Sequence, residues 1–182
     1  AIGTGIGAGI LENGRILRGA HGIAGAIGWL ALARPFRSNY IGCGCFEYHA
    51  SGEGLVKVAK EVLKAQVHYR GVLRRHLLTT HDIFAAYEDG DAVAKNVLRE
   101  AIEFWGMAVA NLVSLFNPEK IIFGGGVFGP ANRFLNDIKH EATRWAQPVA
   151  MKRVRLVRSA LGGDAGLYGA ACLALRSSPV NR

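Results

Sequence analysis

Cysteine is scarce in this chain, with three residues at positions 43, 45 and 172. An odd count with one member far from the others argues against a disulfide framework, and a reducing cytoplasm is the expected compartment. Long apolar runs are also missing. No stretch approaches the ~20 residues that cross a bilayer as a helix, so no part of the sequence reads as membrane-spanning. Low-complexity segments, linker-like runs and internal repeats are absent, which excludes repeat architectures. Neither the G-x-x-x-x-G-K-[ST] P-loop nor the full dinucleotide fingerprint occurs, so any nucleotide is held by another architecture. No segment reads as a helix-turn-helix.

What is present is globular. Half of the 182 residues are hydrophobic and a fifth are charged, enough for one domain with one core. The net charge of +8 (22 basic minus 14 acidic) raises the question of nucleic acid. The basic residues are dispersed, however, and 152-KRVRLVR-158 alternates Arg with aliphatics as a half-exposed strand does. A solvated face is the expectation, with no direct nucleic-acid contact. Ala1 is not a Met and opens directly on a strand and its turn instead of a signal peptide, so the chain is expected to begin inside a longer protein.

The first third reads as strands at 2–10, 14–19 and 27–33, with Asn13-Gly14 as a hairpin turn. The middle reads as helices. One covers 53–68, with Val67 on its apolar face. A short one is capped by Thr80. A long one runs from Asp91 to Phe116, with Val93, Val97, Leu98, Ile102, Trp105, Val109, Leu112, Val113 and Phe116 on its apolar face. Gly106 inside it predicts close approach of another backbone. The long helix stops at Asn117-Pro118. The last third alternates: a strand at 119–123, a helix with Phe134, Leu135, Ile138, Ala142 and Trp145 inward, a strand at 153–158, and a helix from 165 capped by Asp164. This order is an α/β pattern.

Three glycine clusters end strands: 3-GTGIG-7, 124-GGG-126 and 162-GG-163. Glycines there let backbone N–H groups approach phosphate oxygens, and the Thr4 hydroxyl adds a donor. The bland alternative for each is a tight turn or close strand-to-helix packing.

In order along the chain, 3-GTGIGAGILENGRILRGAHGIAG-25, 45-CFEYHASG-52, 90-GDAVA-94, 117-NPEKIIFGGGV-127 and 161-LGGDAGLYGAA-171 resemble the C-terminal part of ROK-family proteins (repressors, open reading frames and sugar kinases). The resemblance implies an α/β actin/hexokinase-like (ribonuclease H-like) lobe, a mixed sheet flanked by helices. It implies that residues 1–182 form the larger C-terminal lobe and that an N-terminal lobe lies outside this chain. Gly3, Thr4, Gly5 and Gly7 would form the second phosphate turn, and Gly124, Gly125 and Gly126 the adenosine-side loop. The implied substrates are MgATP and a sugar or polyol, so ATP and Mg2+ are expected. A homodimer is expected as well. No catalytic residue falls within the chain, because the general base and first phosphate motif belong to the other lobe. The implied function is that of a sugar kinase. The alternative is a non-catalytic sugar sensor or transcription-regulator domain.

On the sugar side the chain departs from the family. The Glu-x-Gly-His motif becomes 26-AIGW-29, so Ala26 and Trp29 stand where a carboxylate and an imidazole bind sugar and zinc. Trp29 stacks on a sugar face or belongs to the core. The zinc loop laid on 38-SNYIGCGCFE-47 puts Ser38 and Tyr40 at ligand positions and leaves Cys45 as the one match. Zinc needs about four ligands, so no structural zinc is expected. Cys43, Cys45, His49 and His21 are a remote alternative set. Glu47 falls on the family's second sugar-binding carboxylate, against the alternative of an exposed acid opening the next helix. His21 either reaches the ligand or faces water.

Overall fold

The computed structural model describes residues 1–177, so 178–182 of the expected lobe lie outside it. The first segment folds back on itself. The backbone turns back tightly through 3–5, so that Ile2 and Ile6 form an isolated antiparallel bridge. The expected strand at 2–10 is therefore a compact turn. Beyond it, β1 (Leu11–Glu12) pairs antiparallel with β2 (Arg15–Ile16). Asn13 and Gly14 both have positive φ, 49° and 75°, as a two-residue turn matching strand twist requires.

The expected strand at 27–33 does not form. Ile27–Trp29 is a 3-10 turn, and a second 3-10 turn covers Ser38–Gly42. Ahead of the helix expected at 53–68, which is α2 (Gly52–Ala65), stands a short helix that was not expected, α1 (Cys45–Ala50). They are separated by Ser51, whose extended backbone ends α1 and whose hydroxyl accepts from the Gly54 amide at 2.9 Å. Helix α2 ends at Ala65, which leaves Val67 exposed. Helix α3 (Thr80–Glu88) is capped by Thr79, one residue before the expected position, in a reciprocal box with Asp82.

The long helix α4 (Ala92–Phe116) starts where Asp91 accepts from the amides of Val93 and Ala94. It stops where Asn117 turns left-handed before Pro118. Val93, Val97, Leu98, Trp105, Val109 and Val113 are buried as the 3.6-residue period requires. Phe116, the last residue of α4, is exposed. Then come β3 (Lys120–Phe123), two 3-10 turns, α5 (Leu135–Trp145), α6 (Pro148–Arg153), β4 (Arg155–Arg158) and α7 (Ala165–Ser177). Helix α6 takes Arg153, the first residue of the strand expected at 153–158, and Val154 caps it. Asp164 ends a 3-10 turn ahead of α7.

Strand β3 pairs parallel with β4, Lys120 opposite Arg155 through Phe123 opposite Arg158. Among the described residues the expected mixed sheet consists of these two two-stranded pieces, one antiparallel and one parallel. The core lies around α4, which packs on α5, α1 and α2. Trp145 was expected inward on α5 but is exposed, its indole N–H donating to Glu141 at 2.6 Å.

Candidate functional site

Backbone hydrogen bonds draw the glycine clusters together across more than a hundred residues. The Ile2 amide donates to Gly124 O at 2.7 Å, and the Val127 amide returns to Ile2 O at 3.1 Å. The Ser159 amide donates to Phe123 O at 2.7 Å, which carries the strand leading to Gly162–Gly163 alongside. Gly125, at φ 94°, has no room for a Cβ against the Ile2 backbone. Close packing and loop placement are thus one device here.

The turn itself rests on the start of α2. The Gly52 amide donates to Gly3 O at 2.7 Å, and the Thr80 hydroxyl donates to Gly52 O at 2.7 Å. Within the turn, the Gly3 amide donates to Gly5 O and the Gly7 amide to Ala1 O. The amides of Thr4 and Gly5 have no acceptor among the described residues. They are donors open to solvent or to a ligand.

Gly3 and Thr4 line a cavity of about 590 Å³ with Gly126 and Val127. Its walls are apolar at Val56, Leu78, Phe84 and Pro130, and charged at Glu53, Lys57 and Lys60. A second cavity of about 710 Å³ is lined by Gly124, Gly125 and Gly126 with Arg158, Ser159, Gly162 and Gly163. Gly126 therefore borders both, while Gly124 and Gly125 face the second.

The other half of the turn meets Glu47. Its Oε2 accepts from the Ile6 amide at 2.6 Å. A Cβ on Gly5 would lie 2.7 Å from that oxygen, and one on Gly28 would lie 3.0 Å from it. Glu47 is half-buried, so the alternative of an exposed helix-opening acid does not describe it. Its Oε1 has no hydrogen-bond partner among the described residues. A Cβ on Gly7 would lie 4.0 Å from Gly25 O, an ordinary contact. The need for glycine at position 28 escaped sequence reasoning, although the x-Gly of 26-AIGW-29 was its signal.

Trp29 is 58% exposed and does not belong to the core, because the 3-10 turn buries Gly28 in its place. His21 is exposed. The alternative metal set does not assemble. Both ring nitrogens of His49 are occupied, Nε2 with the Tyr40 hydroxyl at 2.8 Å and Nδ1 with Glu100 Oε1 at 2.7 Å. No group of three or more His, Cys, Asp or Glu able to hold a metal occurs among the described residues. Tyr40 is buried, and burial pushes its phenol up against the lowering pull of Arg37. None of the three cysteines forms a disulfide. No helix among the described residues is long and apolar enough to cross a membrane.

The ROK family matches residues 1–177. The chain belongs to the ROK family. It is 35% identical over 174 residues to a glucokinase of Halalkalibacterium halodurans, covering 92% of this chain and 52% of that one. A ROK glucokinase of Streptomyces griseus, solved with glucose and AMPPNP, superposes with a TM-score of 0.78 at 31% identity, covering 97% of this chain and 59% of that one. A xylose repressor of Caldicellulosiruptor bescii is 35% identical over 129 residues, covering 68% of this chain and 32% of the repressor. The actin/hexokinase-like fold class expected of a ROK lobe therefore holds, although its sheets are small. This ROK chain spans little more than half the length of the two glucokinases.

Proposed function

We propose that this chain is the larger, C-terminal lobe of an ATP-dependent sugar kinase, which transfers the γ-phosphoryl group to a hydroxyl of a sugar or polyol. The observation that carries this is the shared turn at 3–7. Gly3 and Thr4 line a nucleotide-sized cavity, and the Ile6 amide holds the Glu47 carboxylate at 2.6 Å. The nucleoside lies against Val56, Phe84 and Val127, and its phosphates lie over the free amides of Thr4 and Gly5. Glu47 Oε1 then accepts from a sugar hydroxyl beside the terminal phosphate. Binding and orientation are the work of these residues.

Magnesium enters with the nucleotide. The carboxylate lining the cavity, Glu53, pairs with Lys57 at 3.6 Å, and the donors around Thr4 suit phosphate oxygens. Bound with the nucleotide, the ion would supply positive charge to offset that of the phosphates. The general base and first phosphate motif come from an N-terminal lobe of the same protein. The working unit is a cytoplasmic homodimer.

Glu47→Ala in the full-length protein tests this. A hydrogen bond to a charged group contributes about 1.5–3 kcal/mol, so sugar affinity falls roughly 10- to 150-fold. ATP affinity stays the same. Unchanged sugar affinity would sink the proposal.

The second reading, a non-catalytic sugar sensor or regulator, draws on Ala26 and Trp29 and on the similarity to the xylose repressor. Sugar-dependent ADP formation by the full-length protein separates the two.

A further inference from the structure

Buried polar side chains are few among the described residues: His49, Ser51 and Glu141. Ser51 caps α2 and Glu141 binds Arg144 and Trp145. His49 has no such local task. It is 7% exposed, stacks on Phe104 with centroids 4.2 Å apart and planes 7° from parallel, and lies two residues after Glu47 on the same short helix.

We infer that His49, clamped between Tyr40 and Glu100, is the positioning residue that sets Glu47 against the 3–7 turn. This rests on the proposed role of Glu47 as the sugar contact. Helix α1 has six residues, far too few to hold a conformation by itself. Residues two apart on a helix do not face each other, so His49 does not touch Glu47. It acts through the helix, by fixing rotation about the axis.

Three neighbouring side chains or carbonyls point α1 in different directions. The Glu100 carboxylate accepts from His49 Nδ1–H, which leaves Nε2 to accept from the Tyr40 hydroxyl. One imidazole thus ties α1 to α4 and to the loop before it. The next residue down, Tyr48, donates to Glu61 of α2. The carbonyl of Ala50 accepts from the Trp105 indole at 3.0 Å. With those sides taken, Glu47 is left facing Gly5, Ile6 and Gly28. Removing the polar ends of His49 frees the helix to roll, and a small roll moves a carboxylate at its periphery out of reach of the Ile6 amide. Nothing in the hydrogen bonds of Thr4 or the cavity wall passes through His49, so the nucleotide side is insulated.

The experiment compares His49→Phe, which keeps the ring on Phe104 without either polar end, with His49→Gln, which keeps one donor and one acceptor. Two quantities are read: hydrogen exchange at the Ile6 amide, and the KM for sugar against the KM for ATP in the full-length protein. The loss of a net hydrogen bond of about 1 kcal/mol or more predicts roughly five- to tenfold faster exchange at Ile6 in His49→Phe. Sugar KM rises by a similar factor, ATP KM and α4 exchange hold, and His49→Gln recovers most of the loss. Should His49→Phe fail to fold, Tyr40→Phe removes a single hydroxyl and shifts both readouts in the same direction. Unchanged Ile6 exchange, or a parallel rise of both KM values, overturns the inference. Faster Ile6 exchange with an unmoved sugar KM leaves the positioning role standing and removes Glu47 as the sugar contact.

Discussion

Glu61 shows how single residues hold the loop ahead of the site. The Tyr48 hydroxyl donates to it, and Arg37 Nη2 reaches both of its oxygens at 3.1 and 3.0 Å. Burial alone would raise its pKa, but the Tyr48 hydrogen bond and the Arg37 guanidinium together hold it below the ordinary glutamate value. The sign follows from linkage. A carboxyl depressed in the folded state stabilises it above the unfolded pKa, and that contribution disappears as pH falls toward the folded value. Denaturant midpoints should therefore decline below about pH 4.3. In Glu61→Gln that acid limb is shallower and stability at neutral pH is lower. Because the pair is partly exposed and screened, the difference is about 1 kcal/mol or less. An acid limb identical in both proteins would contradict the assignment. None of this was legible in the sequence. Arg37, Tyr48 and Glu61 are spaced by the tertiary path of the chain, and no local period links them. Trp29 misled for the same reason, since a hydrophobic residue in an apolar run carries no mark of the 3-10 turn that points it outward.

Elements were read better where capping and period agreed. Asp91 and Asn117-Pro118 bound α4 because an N-cap carboxylate and a proline act locally, and the hairpin at Asn13-Gly14 formed for the same kind of reason. Helix α1 was missed altogether, because six residues are too few to show a 3.6-residue period, and Ser51 separates it from α2 by capping the latter. Gly106 is the clearest case of a local anomaly with a tertiary cause. A Cβ there would lie 2.6 Å from Cβ and Cγ of Glu141 and 3.1 Å from the Ala142 amide nitrogen. Helix α5 thus comes close enough to α4 that only hydrogen fits. Gly106→Ala gains about 1 kcal/mol of helix propensity. It loses about 1–3 kcal/mol to overpacking. The loss dominates because the nearest atoms are the root of a side chain and the backbone, neither of which swings away. Chemical denaturation should show a destabilised variant, and a stabilised one would mean that α5 slides freely on α4.

At the scale of the molecule, the pieces expected for phosphoryl transfer are unevenly supplied. In the proposed reading, the amides of Thr4 and Gly5, the cavity beside them and Glu47 provide binding. A base poised over a sugar hydroxyl is not among them. Glu47 is the described carboxylate beside the turn, and one of its oxygens is already held by the Ile6 amide. Thr4 is exposed, so water has access to where the terminal phosphate would lie, and a triphosphate in contact with water is not committed to transfer. Apolar side chains of α7, among them Leu167, Tyr168, Leu173 and Leu175, are exposed beside the third glycine cluster. This division of labour makes a sharp expectation for the 182-residue chain by itself. It binds ATP through the turn, and it forms no ADP above the enzyme-free rate with glucose or any other sugar, at any concentration of magnesium. Positioning without a base leaves a proton on the attacking hydroxyl, which costs roughly 100- to 10,000-fold, and without the first phosphate motif the triphosphate is not held in line for attack, which forfeits the rest. Coupled-enzyme detection of ADP covers that range. Sugar-dependent turnover by these residues alone would show that the base lies inside them and that the lobe boundary is drawn in the wrong place.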